Sequence, residues 1–115
     1  MGIDRKLMAS STDMMLLKLL EQEDMYGYQM IEELRKRSND VFDMKAGTLY
    51  PLLHQLEQKG YLISYDRPAG EARIRKYYSL TESGRSFLRE REAEWEKFSG
   101  AVRNVMGGAA YVMGR

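Results

Sequence analysis

The sequence has no cysteine, and only one histidine, one tryptophan and two prolines. Without cysteine there are neither disulfides nor thiolate metal sites, which suits a reducing compartment without requiring one. A solitary imidazole, His54, leaves no histidine cluster for a metal and no Cys–His couple for nucleophilic chemistry. No glycine-rich phosphate loop follows a strand pattern, and no serine elbow occurs. Glu90, Glu92, Glu94 and Glu96 alternate at two, which scatters carboxylates around a helix instead of converging them. The expectation is a non-enzyme with no cofactor and no metal. No apolar run approaches the ~18 residues of a membrane span, and the N-terminus lacks the apolar block of a secretion signal. A soluble, cytoplasmic protein with no membrane partner is expected. Excess charge of one sign is also missing, since 18 Lys and Arg oppose 17 Asp and Glu. Bulk attraction to a polyanion is not implied, and such binding needs a local basic patch.

What is present is sorted charge. Acids gather from Glu21 to Asp24 and from Glu90 to Glu96, bases at Arg35-Lys36-Arg37 and from Arg67 to Lys76. The 115 residues suit one domain, with enough chain to bury a core and room for a partner subunit to add to it.

The stretch from Lys45 to Gly60 organises the chain. Leu49, Leu52, Leu53 and Leu56 fall at i, i+3, i+4 and i+7, one apolar stripe on a helix. The opposite side carries Gly47, Tyr50, Pro51, His54 and Gln58, all uncharged, with Lys45 near the start. Tyr and His reach polar groups and stack, and Gly lets a backbone approach a partner. Such a face suits a DNA groove; a core helix with an idle polar side fits the same residues. If Thr48 is the cap, Pro51 sits in the first turn at no cost; an earlier start implies a local kink. Gly60 is a left-handed stop.

Elsewhere, Ser10-Ser11-Thr12-Asp13 opens a first helix, with Ser10 and Asp13 at capping-box spacing, and Met14 to Leu20 is apolar except for Lys18. A second helix begins at Met25-Tyr26-Gly27-Tyr28 and buries Met30, Ile31 and Leu34. Its bases are explained by i,i+4 pairs, Glu32 with Lys36 and Glu33 with Arg37. Val41-Phe42-Asp43-Met44 reads as a short extended segment. After Gly60 the period changes to two. A β-hairpin turns at Pro68-Ala69-Gly70-Glu71-Ala72, with Arg67, Arg73, Arg75 and Lys76 at its tip. Arg73 and Arg75 project to one side. This is either a binding surface or a charged edge strand that resists aggregation. Thr81 caps a last helix running to about Met106, along which Leu88, Trp95, Phe98, Val102 and Val105 form one narrow apolar seam. A small domain has little core to spare for so long a helix, so the seam is expected to be a homodimer contact.

The order helix, helix, short strand, helix, basic hairpin, long helix defines an α+β, mainly α, chain. It is a winged helix-turn-helix followed by a long C-terminal dimerisation helix. The expected divisions are an N-terminal arm (1–9, with Arg5 and Lys6), the winged-helix DNA-binding domain (10–80), the dimerisation helix (81–107) and a flexible tail (108–115).

Five pieces then carry a resemblance: Tyr26-Gly27-Tyr28; Gly47-Thr48-Leu49-Tyr50-Pro51-Leu52-Leu53; Leu56-Glu57 with Gly60-Tyr61-Leu62; Arg75-Lys76-Tyr77-Tyr78; and Leu80-Thr81-Glu82 with Gly84. The sequence resembles the PadR family of transcriptional regulators, in its short, subfamily-2, multidrug-regulator-like type. The resemblance implies a cytoplasmic homodimer that binds double-stranded operator DNA, usually as a repressor. It implies that the helix from about Thr48 to Lys59 enters the major groove, with Tyr50 on the DNA backbone and Gly47, Thr48 and His54 close to bases or phosphates; Lys45, the cation near the helix start, is expected to join the DNA-binding set. Tyr26, Tyr28 and Gln29 would meet phosphate, and Arg73, Arg75 and Lys76 the adjacent groove. Drug-binding members of the subfamily sandwich a flat aromatic molecule between paired tryptophans. That implies a planar, cationic effector at Trp95, lined by Asp13, Met14, Glu92, Glu96 and Ser99. Trp95 as a dimer anchor is the simpler reading. The competing class is a winged-helix protein-interaction or dimerisation adaptor without operator specificity.

Overall fold

A computed structural model of the chain describes residues 11–107. The expected N-terminal arm and C-terminal tail lie outside the described residues. In chain order the elements are α1 (Thr12–Gln22), β1 (Met25–Tyr26), α2 (Gly27–Arg37), α3 (Ala46–Gln58), β2 (Leu62–Pro68), β3 (Ile74–Leu80) and α4 (Glu82–Val105).

The apolar stripes of the helices meet at the centre of the molecule. Leu16 and Leu17 of α1, Met30 of α2, Leu49 and Leu53 of α3 and Leu62 of β2 are fully buried in one cluster. A side chain of this kind, fully removed from water, contributes about 1.5–3 kcal/mol before entropy is counted. The sheet is antiparallel, in the order β1-β3-β2, with Leu62 opposite Leu80 and Pro68 opposite Ile74. Its short third strand pairs Met25 with Tyr78 and Tyr26 with Tyr77.

The structure corrects three expectations and, at the start of α3, selects the earlier of the two alternatives. Ser11 is the N-cap of α1, and Ser10, expected in a capping box, lies outside the described residues. Ser11 makes no side-chain cap bond, and Asp13 Oδ1 accepts from its neighbour Met14 N–H at 2.6 Å. The third strand comes from Met25–Tyr26 and not from Val41–Met44, which is irregular chain. There Asn39 and Asp40 adopt positive φ (53° and 69°), and the following residues drop Met44 into the core. Helix α3 begins two residues before Thr48, with Lys45 as its N-cap. Pro51 therefore lies past the first turn and withholds one intrahelical donor. Finally, Leu88 is buried completely within the single chain, so it is core and not part of a dimer seam.

The end of α3 and the start of α4 are one joint. Gly60 takes φ +83°. The Gly60 N–H donates to Glu57 O and the Tyr61 N–H to Leu56 O, both at 3.0 Å, which closes the helix with a Schellman turn. Thr81 Oγ1 donates to Gly60 O at 2.6 Å and accepts from Gly84 N–H at 2.9 Å, capping α4 against that turn. The Tyr61 and Phe87 rings stack beside it at 4.3 Å. Gly84 is required by proximity, because a Cβ there would overlap the Tyr61 carbonyl, a backbone group that cannot swing aside. Gly84→Ala should cost about 1–3 kcal/mol and lower the melting temperature by about 10 °C, measured by circular dichroism. An unchanged melt would show that the joint is looser than drawn.

Candidate nucleic-acid interface

Helix α3 turns Leu49, Leu53 and Leu56 inward and leaves Gly47, Thr48, Tyr50, Pro51, His54, Gln55 and Gln58 exposed. None of these exposed residues is acidic. The one carboxylate of the helix, Glu57, is half-buried and accepts from Ser64 Oγ at 2.8 Å. The face lacks the repulsion that would keep a polyanion away.

Beside this face lies a cleft of about 330 Å³, lined by Tyr26, Gly27, Tyr28, Tyr50, Arg73, Arg75 and Lys76. Three elements meet there: the start of α2, one turn of α3 and the tip side of the hairpin. Six of the eleven residues expected to contact DNA are thus brought together. Tyr50 reaches across to lie over Gly27, whose missing Cβ makes room for the phenol. Burial pushes the Tyr50 pKa up, and the neighbouring Tyr28 adds to it, so the hydroxyl stays a donor at neutral pH. The Arg75 guanidinium sits 4.3 Å over the Tyr26 ring. Arg73 and Lys76 are exposed and make no ion pair among the described residues, although Asp66 stands opposite Lys76 across the strands. Cations, phenol donors and a helix N-terminus facing one space are what a phosphate group needs.

The remaining expected contacts are placed differently. Gly47, Thr48 and His54 stay on the open face of α3, outside the cleft. Lys45 is exposed, 3.5 Å from Asp43. Gln29 is occupied structurally: its Oε1 accepts from Tyr26 N–H at 3.4 Å and its Nε2 donates to Glu23 at 3.2 Å. The bases closing α2 are paired as well. Arg37 holds Glu33 at 2.8 Å and lowers its pKa, while Glu32 pairs with Arg35 instead of Lys36.

Gly27→Ala distinguishes this seat from the α4 joint. The new methyl would strike the far end of the Tyr50 ring, a side chain that is able to move. The melting temperature should change by only a few degrees while duplex affinity falls about tenfold, measured by fluorescence anisotropy. Parental affinity would mean that the position of Tyr50 does not matter.

At the far end of the molecule, Trp95 stands between two depressions. One, of about 440 Å³, is lined by Met14, Met15, Lys18, Glu92, Ala93, Trp95 and Glu96. The other, of about 270 Å³, includes Met14, Arg91, Glu94, Trp95 and Phe98. Four expected ligand contacts, Met14, Glu92, Trp95 and Glu96, therefore gather. Asp13 does not join them, because it binds Arg91 at 3.1 Å, and Ser99 lines neither depression and donates to Glu96 O at 3.5 Å. Glu92 is neutralised by Lys18 at 2.9 Å, which with Glu21 raises the lysine pKa. The negative lining expected around Trp95 is accordingly reduced to Glu96. No group of three or more His, Asp or Glu side chains suited to a metal occurs among the described residues. Nor is any described helix long and apolar enough to cross a membrane.

A helix pair presenting an acid-free third helix, a basic two-stranded wing and a long terminal helix define a winged-helix regulator of transcription. The sequence profile of the PadR-like family of transcriptional regulators matches residues 16–90, and the chain belongs to that family. It is 29% identical to transcriptional regulator Rv3488 of Mycobacterium tuberculosis over 110 residues, 96% of each chain. Among solved structures, it is similar to a PadR family transcriptional regulator of Eggerthella lenta (34% identity, 88% of this chain and 86% of that one, TM-score 0.77). It is also similar to a transcriptional regulator of Clostridium thermocellum (28% identity, 86% and 96% coverage, TM-score 0.80). Members of the family are transcriptional regulators and not enzymes.

Proposed function

We propose that this regulator is a cytoplasmic homodimeric repressor that recognises one operator near its own coding region. The observation that carries the reading is the cleft at Tyr50. It sets Arg73, Arg75 and Lys76 of the wing beside the acid-free face of α3, so base reading and phosphate anchoring share one surface. Gly47, Thr48 and His54 face bases or nearby phosphates, while the cleft takes a phosphate of the adjoining backbone. The dimer is supported by the outer part of α4, where Trp95, Phe98, Val102 and Val105 are 42, 62, 42 and 85% exposed along one stripe. Footprinting of the upstream DNA should reveal two protected half-sites centred one helical turn apart, ~34–36 Å, or a multiple of it. Uniform weak protection of any duplex would favour the adaptor reading.

The depression at Trp95 supports a small planar aromatic effector at the dimer interface, releasing the DNA by preferring a different spacing of the two reading heads. Ethidium added to the free protein should quench Trp95 fluorescence with saturation. A linear, unsaturable response would remove the effector from the reading.

A further inference from the structure

The bases of the wing project from a ribbon with weak support. Strand β1 has two residues and pairs only as far as Tyr77, so Asp66–Pro68 and Ile74–Lys76 extend beyond the three-stranded part. A two-stranded ribbon is marginal on its own. It also places Arg67 directly opposite Arg75, a like-charge pair that repels across strands. Left alone, this segment would present its cations over a range of directions.

The outer face of the sheet counters both problems. Tyr65 Oη donates to Asp24 Oδ2 at 2.5 Å, joining positions 41 residues apart. Arg67 Nη2 donates to the same Tyr65 oxygen at 2.7 Å, and its guanidinium lies 3.9 Å over the Tyr77 ring. Tyr77 meets Tyr26 edge-on at 5.4 Å, and Arg75 covers Tyr26. Each of the two opposed arginines is thus laid over a ring of the same face, Arg67 on Tyr77 and Arg75 on Tyr26. Asp24, from the α1–β1 connection, is the fixed end of this chain of contacts. The hydrogen bond to Asp24 also raises the Tyr65 pKa, so the hydroxyl remains the donor.

We infer that Asp24, Tyr65 and Arg67 form a latch that positions the wing, so that Arg73 and Lys76 face the same cleft as Tyr50. The inference rests on the DNA-binding reading above and deepens it. It makes Arg67, a base within the wing's cationic cluster, a positioning residue that holds Tyr65 and Tyr77 instead of a phosphate. It also gives a purpose to an acid beside a DNA-binding surface, where charge alone would be unfavourable.

That sign conflict provides the test. Asp24→Ala and Asp24→Asn both remove one negative charge, but only Asn keeps an oxygen that accepts from Tyr65. Affinity for the operator duplex is measured by anisotropy across a salt series, and amide hydrogen exchange of the free proteins is followed alongside. The latch predicts about tenfold weaker binding for Asp24→Ala, binding within about twofold of the parent for Asp24→Asn, and an unchanged salt slope in both, because every phosphate keeps its cation. Exchange between residues 66 and 76 should accelerate in Asp24→Ala and not in Asp24→Asn. Tyr65→Phe, which removes the shared hydroxyl from the other side, should behave as Asp24→Ala does, and it serves if the alanine variant does not fold. Equal or tighter binding by both Asp24 variants overturns the latch, as does a ribbon whose exchange is unaffected. If the parent protein discriminates between no duplexes, the DNA reading fails first and the latch loses its purpose with it, whatever the exchange shows.

Discussion

Replacing Arg73 and Lys76 together by alanine should weaken operator binding by two orders of magnitude or more at ~0.1 M salt. Both side chains are exposed on the hairpin and line the Tyr50 cleft, and neither is held by an acid among the described residues. Their removal therefore leaves no partner stranded and should leave the melting temperature within a few degrees of the parent. The slope of log Kobs against log salt falls by ~0.9 for each phosphate that is no longer neutralised, and a dimer uses two wings. A loss of affinity with an unchanged slope would mean that these bases act through the fold. An unchanged affinity would mean that the wing never touches DNA.

The second large effect is expected in the outer half of α4. Phe98→Glu with Val102→Glu places four carboxylates across a symmetric contact, two from each protomer. Both positions are already largely exposed in the single chain, so the helix itself has little packing to lose beyond the contact of Phe98 with Trp95. Sedimentation velocity should show a monomer with parental helix content, and operator affinity should fall at least about a hundredfold because the two half-sites are no longer engaged together. A dimer that persists would place the interface elsewhere. A monomer that keeps parental operator affinity would detach recognition from dimerisation.

The stripe on α4 also marks how far sequence reasoning reached. Periodicity identified the inward leucines of α3 and the apolar run along α4, because a 3.6-residue repeat is a property of the local chain. It did not separate Leu88 from Trp95, which share the stripe. The difference is that Leu88 is enclosed in the core cluster whereas Trp95 stays half-exposed, a tertiary fact. The cap at Thr81 and the stop at Gly60 were legible for the same local reason. The strand at Met25–Tyr26 was not, since two residues carry no alternation and exist as a strand only because Tyr77 and Tyr78 pair with them. Val41–Met44 has strand-like composition, but no neighbouring strand is offered to it.

The site divides in the same way. Arg73 and Arg75 line one cleft, but Lys76, of opposite parity, joins them there and Arg73 precedes β3, so alternation alone does not explain the grouping; the uncharged face of α3 is visible from composition. The contact of Tyr50 with Gly27 links residues on two helices, and nothing in either segment announces it. The position of Gln29 at the start of α2 suggests a phosphate contact, but its side chain serves the helix end. The bond from Tyr65 to Asp24 was equally invisible, because both residues look like ordinary surface polar groups until the hairpin folds back. Lys18 is the one polar interruption of the run from Met14 to Leu20. Its partner Glu92 is on α4, and their pairing removes much of the negative charge expected near Trp95.

The most direct test of the whole account is a comparison of two duplexes. Anisotropy should be measured for the protein's own upstream sequence and for a shuffled duplex of equal length and composition, from about 50 to about 300 mM salt. The account predicts that the native duplex binds at least about a thousandfold more tightly at ~0.15 M, with steep salt dependence for both. Equal affinity for the two at every salt concentration would contradict it.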